Sequence, residues 1–158
     1  MLAEPALVWR EALTLNRKCK TDYRCVSTHS GGYVDFLEVA APELSGLAEY
    51  ANSGDWASEI RLKQSESYQV ETVSLSDLLD QHDAPSEIGY LSIDTEGSEL
   101  AILESFDFAR RKIYLITVEH NYSEPARTRM SSLLADQGYR RKYANISQWD
   151  DWYVLSDG

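Results

Sequence analysis

Asp94-Thr95-Glu96-Gly97-Ser98-Glu99 stands between an apolar run, Ile88 to Ile93, and a helix-like run, Leu100 to Phe106. A buried strand that turns directly into a helix places these carboxylates and their glycine at the carboxyl end of the strand. In open α/β sheets that is where ligands bind. Crowded carboxylates raise one another's pKa and destabilise a fold unless a cation or a proton answers them. Their presence here therefore points to chemistry.

The flanking sequence repeats the same alternation. Residues 113–119 are nearly continuous in apolar side chains (Ile113, Leu115, Ile116, Val118), as in a strand buried on both faces, and run into Glu119-His120-Asn121. Ser123 reads as the cap of a helix with Met130, Leu133 and Leu134 on one face, stopped by Gly138. Residues 139–144 and 152–155 read as a closing antiparallel pair. Upstream, Pro5 suits a first helical turn, and Val8, Trp9, Ala12 and Leu13 predict an amphipathic helix over 6–18. Tyr23, Cys25 and Ser27 alternate as a strand, Gly31-Gly32 is a turn, and Tyr33 to Val39 reads as the second arm of a hairpin. Gln69 to Ser74 is rich in β-formers. Ser74 and Asp77 make a capping-box-like start for a helix through His82, which Pro85 ends. Residues 40–67, broken by Pro42, Ser45, Gly46, Asn52, Ser53 and Gly54, read as a mobile insertion with a short helix near 44–50. Strand–helix alternation predicts one α/β domain over 1–158, built on a doubly wound parallel sheet.

The bulk numbers exclude several classes. A chain of 158 residues buries a proper core in one domain. A net charge of −11 argues against nucleic acid as a partner, because phosphate binding needs clustered Lys and Arg. Arg17-Lys18, Arg110-Arg111-Lys112 and Arg140-Arg141-Lys142 read as solvated helix ends or strand edges. Cys19 and Cys25 make no disulfide framework and read as free thiols. No apolar run approaches the roughly 20 residues that span a bilayer, so no membrane is expected as a partner. The first residues lack a secretory pattern. The triplets at Asn121 and Asn145 read as chance glycosylation matches, and the cytoplasm is the expected location.

Neighbouring parallel strands lie about 4.8 Å apart. If 88–93 and 113–119 pair, their two acid-rich turns face one crevice. Alone, Asp94 reads as an N-cap and Glu99 as an acid answering the helix dipole. Together, Asp94, Glu96, Glu119 and His120 read as a catalytic set, with His120 as candidate general base. Oxygen-rich ligands with one imidazole also suit Mg²⁺ or Mn²⁺. A divalent-metal-dependent hydrolase using Asp94, Glu96, Glu99, Glu119 and His120 is therefore an alternative. Glu4, before Pro5, reads as a surface acid or as the strand-end acid that bonds the ribose of a nucleotide-like cofactor. The tryptophans of Asn145-Ile146-Ser147-Gln148-Trp149-Asp150-Asp151-Trp152 read as core packing and a turn, or as a pocket wall.

These three segments, with Ala3-Glu4-Pro5, Cys25-Val26-Ser27 and Val34-Asp35-Phe36, resemble the FkbM-type methyltransferases over nearly the whole chain. The resemblance implies a Rossmann-like class I methyltransferase sheet, N-terminally abbreviated, with an antiparallel C-terminal strand pair. It implies S-adenosylmethionine as cofactor and a small-molecule acceptor, methylated on a hydroxyl of a sugar or natural product. It places Glu4 at the cofactor's ribose, Ser27 near its adenine, and Asp94 and Glu96 in the reacting crevice, with Asp94 or His120 taking the hydroxyl proton. The chain departs from the family at its start. Only three residues precede Glu4, and no glycine-rich turn occurs. Three expectations follow: a missing N-terminal segment completes the sheet, strand 1–4 closes directly on 88–93, or another subunit of a homo-oligomer supplies the strand. A non-catalytic, degenerate binding module is the remaining alternative.

Overall fold

The computed structural model describes residues 1–52 and 57–156; Ser53 and Gly54, read above as breakers, lie outside them. In chain order the elements are β1 (Leu2–Ala3), α1 (Arg10–Asn16), β2 (Thr21–Asp22), β3 (Cys25–Ser27), β4 (Tyr33–Val39), β5 (Gly46–Leu47), α2 (Ser58–Lys63), β6 (Ser65–Ser74) and α3 (Leu75–Gln81). Then follow β7 (Glu87–Ile93), α4 (Glu99–Ser105), β8 (Lys112–Glu119), α5 (Glu124–Asp136), β9 (Tyr139–Lys142) and β10 (Asp150–Leu155). The architecture is mixed α/β.

β8 is the strand on which the second half is built. It pairs in parallel with β7 and antiparallel with β10, and β10 pairs with β9, giving the order β7-β8-β10-β9. A strand flanked on both sides needs apolar residues on both faces. Ile113, Ile116 and Val118 accordingly lie buried with Ile102 and Leu103 of α4, Leu134 of α5 and Tyr153 of β10. The expected closing pair is present, as β9 and β10. Ser74 caps α3 as expected, its hydroxyl accepting the Asp77 N–H at 3.1 Å. Ser123 precedes α5 but makes no side-chain cap bond.

The first half departs from expectation. β4 is not the second arm of a hairpin with β3. It pairs antiparallel with β6 from Tyr33↔Glu71 to Val39↔Ser65, and β6 also pairs in parallel with β3. A three-residue strand offers β4 a short ladder, whereas ten-residue β6 satisfies it along its length. The Gly31-Gly32 turn is tied to β6 as well, Gly31 N–H donating to Thr72 O and Thr72 N–H to Gly32 O. The predicted helix over 6–18 is a 3-10 turn at Leu7–Trp9 followed by α1, which buries no residue; Leu15 is 75% exposed.

Nor is there one continuous sheet. Among the described residues β1 pairs only with β2, and β7 pairs only with β8. Direct closure of the N-terminal strand on 88–93 is therefore not what the chain does. Among the described residues no strand pairs with the outer edge of β7, and Gly89, Tyr90 and Ser92 of that strand are exposed.

An ion cluster locks the C-terminal strands to α5. Asp151 of β10 is wholly buried. Arg127 donates from Nε and Nη2 to its two oxygens, each at 2.8 Å, and Arg141 Nε of β9 lies 3.0 Å away. Burial pushes the Asp151 carboxyl up, but Arg127 and then Arg141 more than offset it and hold it below the usual carboxylate range. Removing one partner of a buried pair strands the others. Asp151→Asn should therefore cost about 3 kcal/mol, read as a lower urea midpoint with an unchanged slope.

Candidate active site

β7 ends at Ile93, and the chain turns sharply before α4. Glu96 and Gly97 both take positive φ, 59° and 122°. Glu99 holds that conformation. Its carboxylate accepts the Thr95 N–H at 2.8 Å, the Thr95 hydroxyl at 3.0 Å and the Gly97 N–H at 3.0 Å. Glu99 thus holds the turn; it also stands in the first turn of α4, where the dipole reading put it, and it lies outside the grouping of Asp94, Glu96 and Glu119. A side chain at Gly97 would meet Tyr50 Cβ at 2.9 Å, and one at Gly46 would meet Glu96 Cβ at 3.0 Å. The turn is therefore clamped from outside by residues 46–50.

That clamp belongs to the stretch expected as an insertion. Ser45, Gly46, Leu47, Ala51, Ala57 and Ser58 are buried, and Arg61 of α2 has no exposed surface. Arg61 Nη1 donates to Glu96 Oε2 at 2.9 Å and to Leu44 O at 3.1 Å. The stretch is a wall of the site. Arg61 was not legible as a site residue, since a lone arginine in a Pro- and Gly-broken segment reads as surface.

The two acid-bearing strand ends do converge. Asp94, Glu96 and Glu119 offer carboxylate oxygens within 4.8 Å of one another. Asn121 Nδ2 donates to Glu119 Oε2 at 2.9 Å. Burial, then the charges of Asp94 and Glu96, push the Glu119 carboxyl far above the usual range. Burial and Asp94 also raise Asp150, the cross-strand partner of Glu119. Asp94 is the exposed member of the set.

His120 does not face this crevice. Its Nδ1 accepts the Tyr122 N–H at 3.1 Å, which puts the ring proton on Nε2. Nε2 points towards Asp151, 3.8 Å away, and the residue is 3% exposed. Burial, then Arg127, hold it below its ordinary pKa. Its one basic lone pair is occupied by the Tyr122 amide in this arrangement.

A cavity of about 280 Å³ opens beside the acids, walled by Glu4, Cys25, Val26, Phe36, Asp94 and Glu96. Glu4 Oε1 accepts the Ala6 N–H at 2.9 Å. Burial pushes Glu4 up, the Ala6 amide pulls it back, and Asp94 and Glu38 push it up again. At β3 the wall is Cys25 and Val26, with Ser27 buried beyond it. The structure thus brings Glu4, Asp94 and Glu96 to one cavity, with Glu119 behind Asp94, and leaves Ser27 and His120 outside.

An acid-walled cavity thus lies at the strand ends of a mixed α/β chain. Residues 4–141 match the family model described as the methyltransferase FkbM domain, and the chain belongs to that methyltransferase family. The match opens at Glu4 and spans both acid-bearing turns; Trp149, Asp150 and Asp151 lie beyond it. No curated protein and no solved structure matches the chain. No helix among the described residues is long and apolar enough to cross a membrane.

Glu119 gives the site a pH signature. Its folded pKa lies above its unfolded one, so folding takes up a proton. Its contribution to stability is greatest below the ordinary carboxylate pKa and declines as pH rises towards the raised folded value. In Glu119→Gln that dependence disappears. Thermal melts from pH 5 to 9 should show the wild type losing stability more steeply, with the variant the more stable at pH 8.

Proposed function

We propose that the chain is an S-adenosylmethionine-dependent methyltransferase acting on a hydroxyl of a sugar or small natural product. The observation that supports this best is that Glu4, at the end of β1, and Asp94 and Glu96, after β7, wall the same cavity. The residues present fit the nucleoside half of such a cofactor. Glu4 is placed to accept ribose hydroxyls, and Val26 and Phe36 offer apolar surface to a base. The neighbouring carboxylates create a negative potential that favours a sulfonium and an ammonium.

When bound, that cofactor supplies a methyl group for in-line displacement by an acceptor oxygen. The chain's part is positioning and proton removal. Asp94, exposed at the crevice, takes the hydroxyl proton. Glu119, its oxygens within 4.8 Å of those of Asp94 and Glu96, stands beside Asp94 and helps to position it. Arg61 holds Glu96, and Glu99 holds the turn, so that carboxylates repelling one another keep a single geometry.

A second reading rests on the 4.8 Å grouping of Asp94, Glu96 and Glu119, an oxygen-only set that suits Mg²⁺ or Mn²⁺. The Arg61 guanidinium on Glu96 already supplies a cation there, which weighs against it. A chelator separates the two: unchanged methyl transfer removes the metal.

Saturating S-adenosylhomocysteine, at 100 times its dissociation constant, should stabilise the fold by about 2.7 kcal/mol. Glu4→Gln should weaken that shift. Asp94→Asn should keep it while losing about 10²- to 10⁴-fold in methyl transfer. No shift in the wild type would favour the metal-dependent reading, a non-catalytic module or a bare fragment.

A further inference from the structure

The face of α5 turned towards β9 is built unlike its core face. Glu124, Arg127, Thr128, Ser131 and Ser132 follow one another at i, i+3, i+4, i+7 and i+8, so they share one stripe of the helix. With Arg141 of β9 they enclose a hollow of about 180 Å³. No residue lines both this hollow and the acid-walled cavity. Successive strand residues point to opposite faces. Asp150 accordingly lies across the ladder from Glu119, while Asp151 is held by Arg127 and Arg141. The run Arg140-Arg141-Lys142, expected as a solvated edge, divides likewise. Arg140 and Lys142 are exposed, whereas Arg141, opposite buried Tyr153, turns towards α5.

The hollow holds more donors than acceptors. Asp151 gives its two oxygens to Arg127 Nε and Nη2, each at 2.8 Å. Arg141 Nε is buried and sits 3.0 Å from the same carboxylate, yet is not aligned for a hydrogen bond. Its Nη1 and Nη2 bond no acceptor among the described residues. A guanidinium fans out five N–H donors in a fixed fork, and here a largely buried one leaves them unanswered. The other acid of the hollow, Glu124, is 74% exposed at the rim and reaches Arg127 Nη1 only at 3.3 Å. Two guanidiniums therefore share one committed carboxylate, Asp151, and one loosely tethered carboxylate that a stronger acceptor displaces.

We propose that this hollow binds a phosphate group, with Arg127 and Arg141 as its cationic arms, the hydroxyls of Thr128 and Ser132 as donors from the helix, and the Glu124 carboxylate as a tethered stand-in that the phosphate displaces. The proposal is independent of the methyltransferase reading. Arginine matches phosphate because its fork donates two parallel N–H bonds at once. A tetrahedral ligand also presents oxygens outside the guanidinium plane, where hydroxyls on a second wall meet them; a planar carboxylate serves one wall only. The short side chains of Thr128, Ser131 and Ser132 leave the room that the ligand needs. Free phosphate and the phosphate of a small-molecule ester offer the same oxygens here.

Heteronuclear NMR on nitrogen-labelled protein reads the site through the Nε–H signals of Arg127 and Arg141 and the amides of 127–132. The probes are inorganic phosphate, glycerol 3-phosphate and acetate, added at neutral pH with sodium chloride holding the ionic strength constant. Phosphate should shift those signals along a saturating curve and leave the amides of 94–97 in place. Glu124→Gln removes the competitor and should half-saturate at about three-fold less phosphate, the effect of one exposed charge pair. Ser132→Glu adds a competitor and should need about three-fold more. Arg141→Gln should not saturate. Glu124 and Ser132 are exposed, so their variants should melt with the wild type and decide the matter where Arg141→Gln does not fold. Tighter binding of glycerol 3-phosphate than of phosphate assigns the site to an ester, and the reverse assigns it to the free ion. Shifts that never saturate, acetate bound as tightly as phosphate, or unchanged binding in Glu124→Gln and Ser132→Glu overturns the proposal.

Discussion

One buried guanidinium makes the rest of this molecule possible. Asp94, Glu96, Glu99 and Glu119 meet where β7 and β8 end, and Glu96, Glu99 and Glu119 are almost without solvent. Like charges so placed would drive the turns apart. Arg61, itself fully buried, answers Glu96, the amides of residues 95 and 97 answer Glu99, and Asn121 donates to Glu119, whose carboxyl burial pushes up. Each carboxylate is held by a different device. Asp94 is the exposed member and lines the cavity.

The same logic explains why the segment between β4 and β6 is packed down. A glycine at 46 admits the Glu96 Cβ, Tyr50 presses on Gly97, and Arg61 closes the pair. A fold that gathers acids needs a cation among them, and Arg61 of this stretch is that cation. The second ion cluster, around Asp151, does for the C-terminal strands what Arg61 does for the crevice. It pins β9 and β10 to α5, and β10 in turn sets Asp150 opposite Glu119.

Much of this was legible. The acid-rich turn at 94–99 declared itself because a strand-like apolar run and a helix-like run flank it, and β8 because its apolar residues are nearly unbroken. Parallel pairing of those two strands then brought Glu119 to Asp94. What stayed hidden is long-range. Nothing in Tyr33 to Val39 tells whether its partner lies before it or thirty residues after. An arginine at 61 or 141 looks the same in sequence whether it is solvated or buried against a carboxylate. The surroundings of His120 were hidden for a related reason: a histidine between two polar residues at a strand end reads as a candidate base, and its sequence does not tell that the Tyr122 amide sits on Nδ1.

The one-sided pairing of β7 bears on how the protein behaves in bulk. A strand with a bare row of backbone donors and acceptors is a template on which another chain can align. The molecule's main protection is its own excess of acid: at −11, copies repel one another across a screening distance of about 10 Å in 0.1 M salt. Colloidal stability is then an electrostatic property of this chain. It weakens in strong brine and near the isoelectric point of 4.6, where nothing holds two bare strand edges apart.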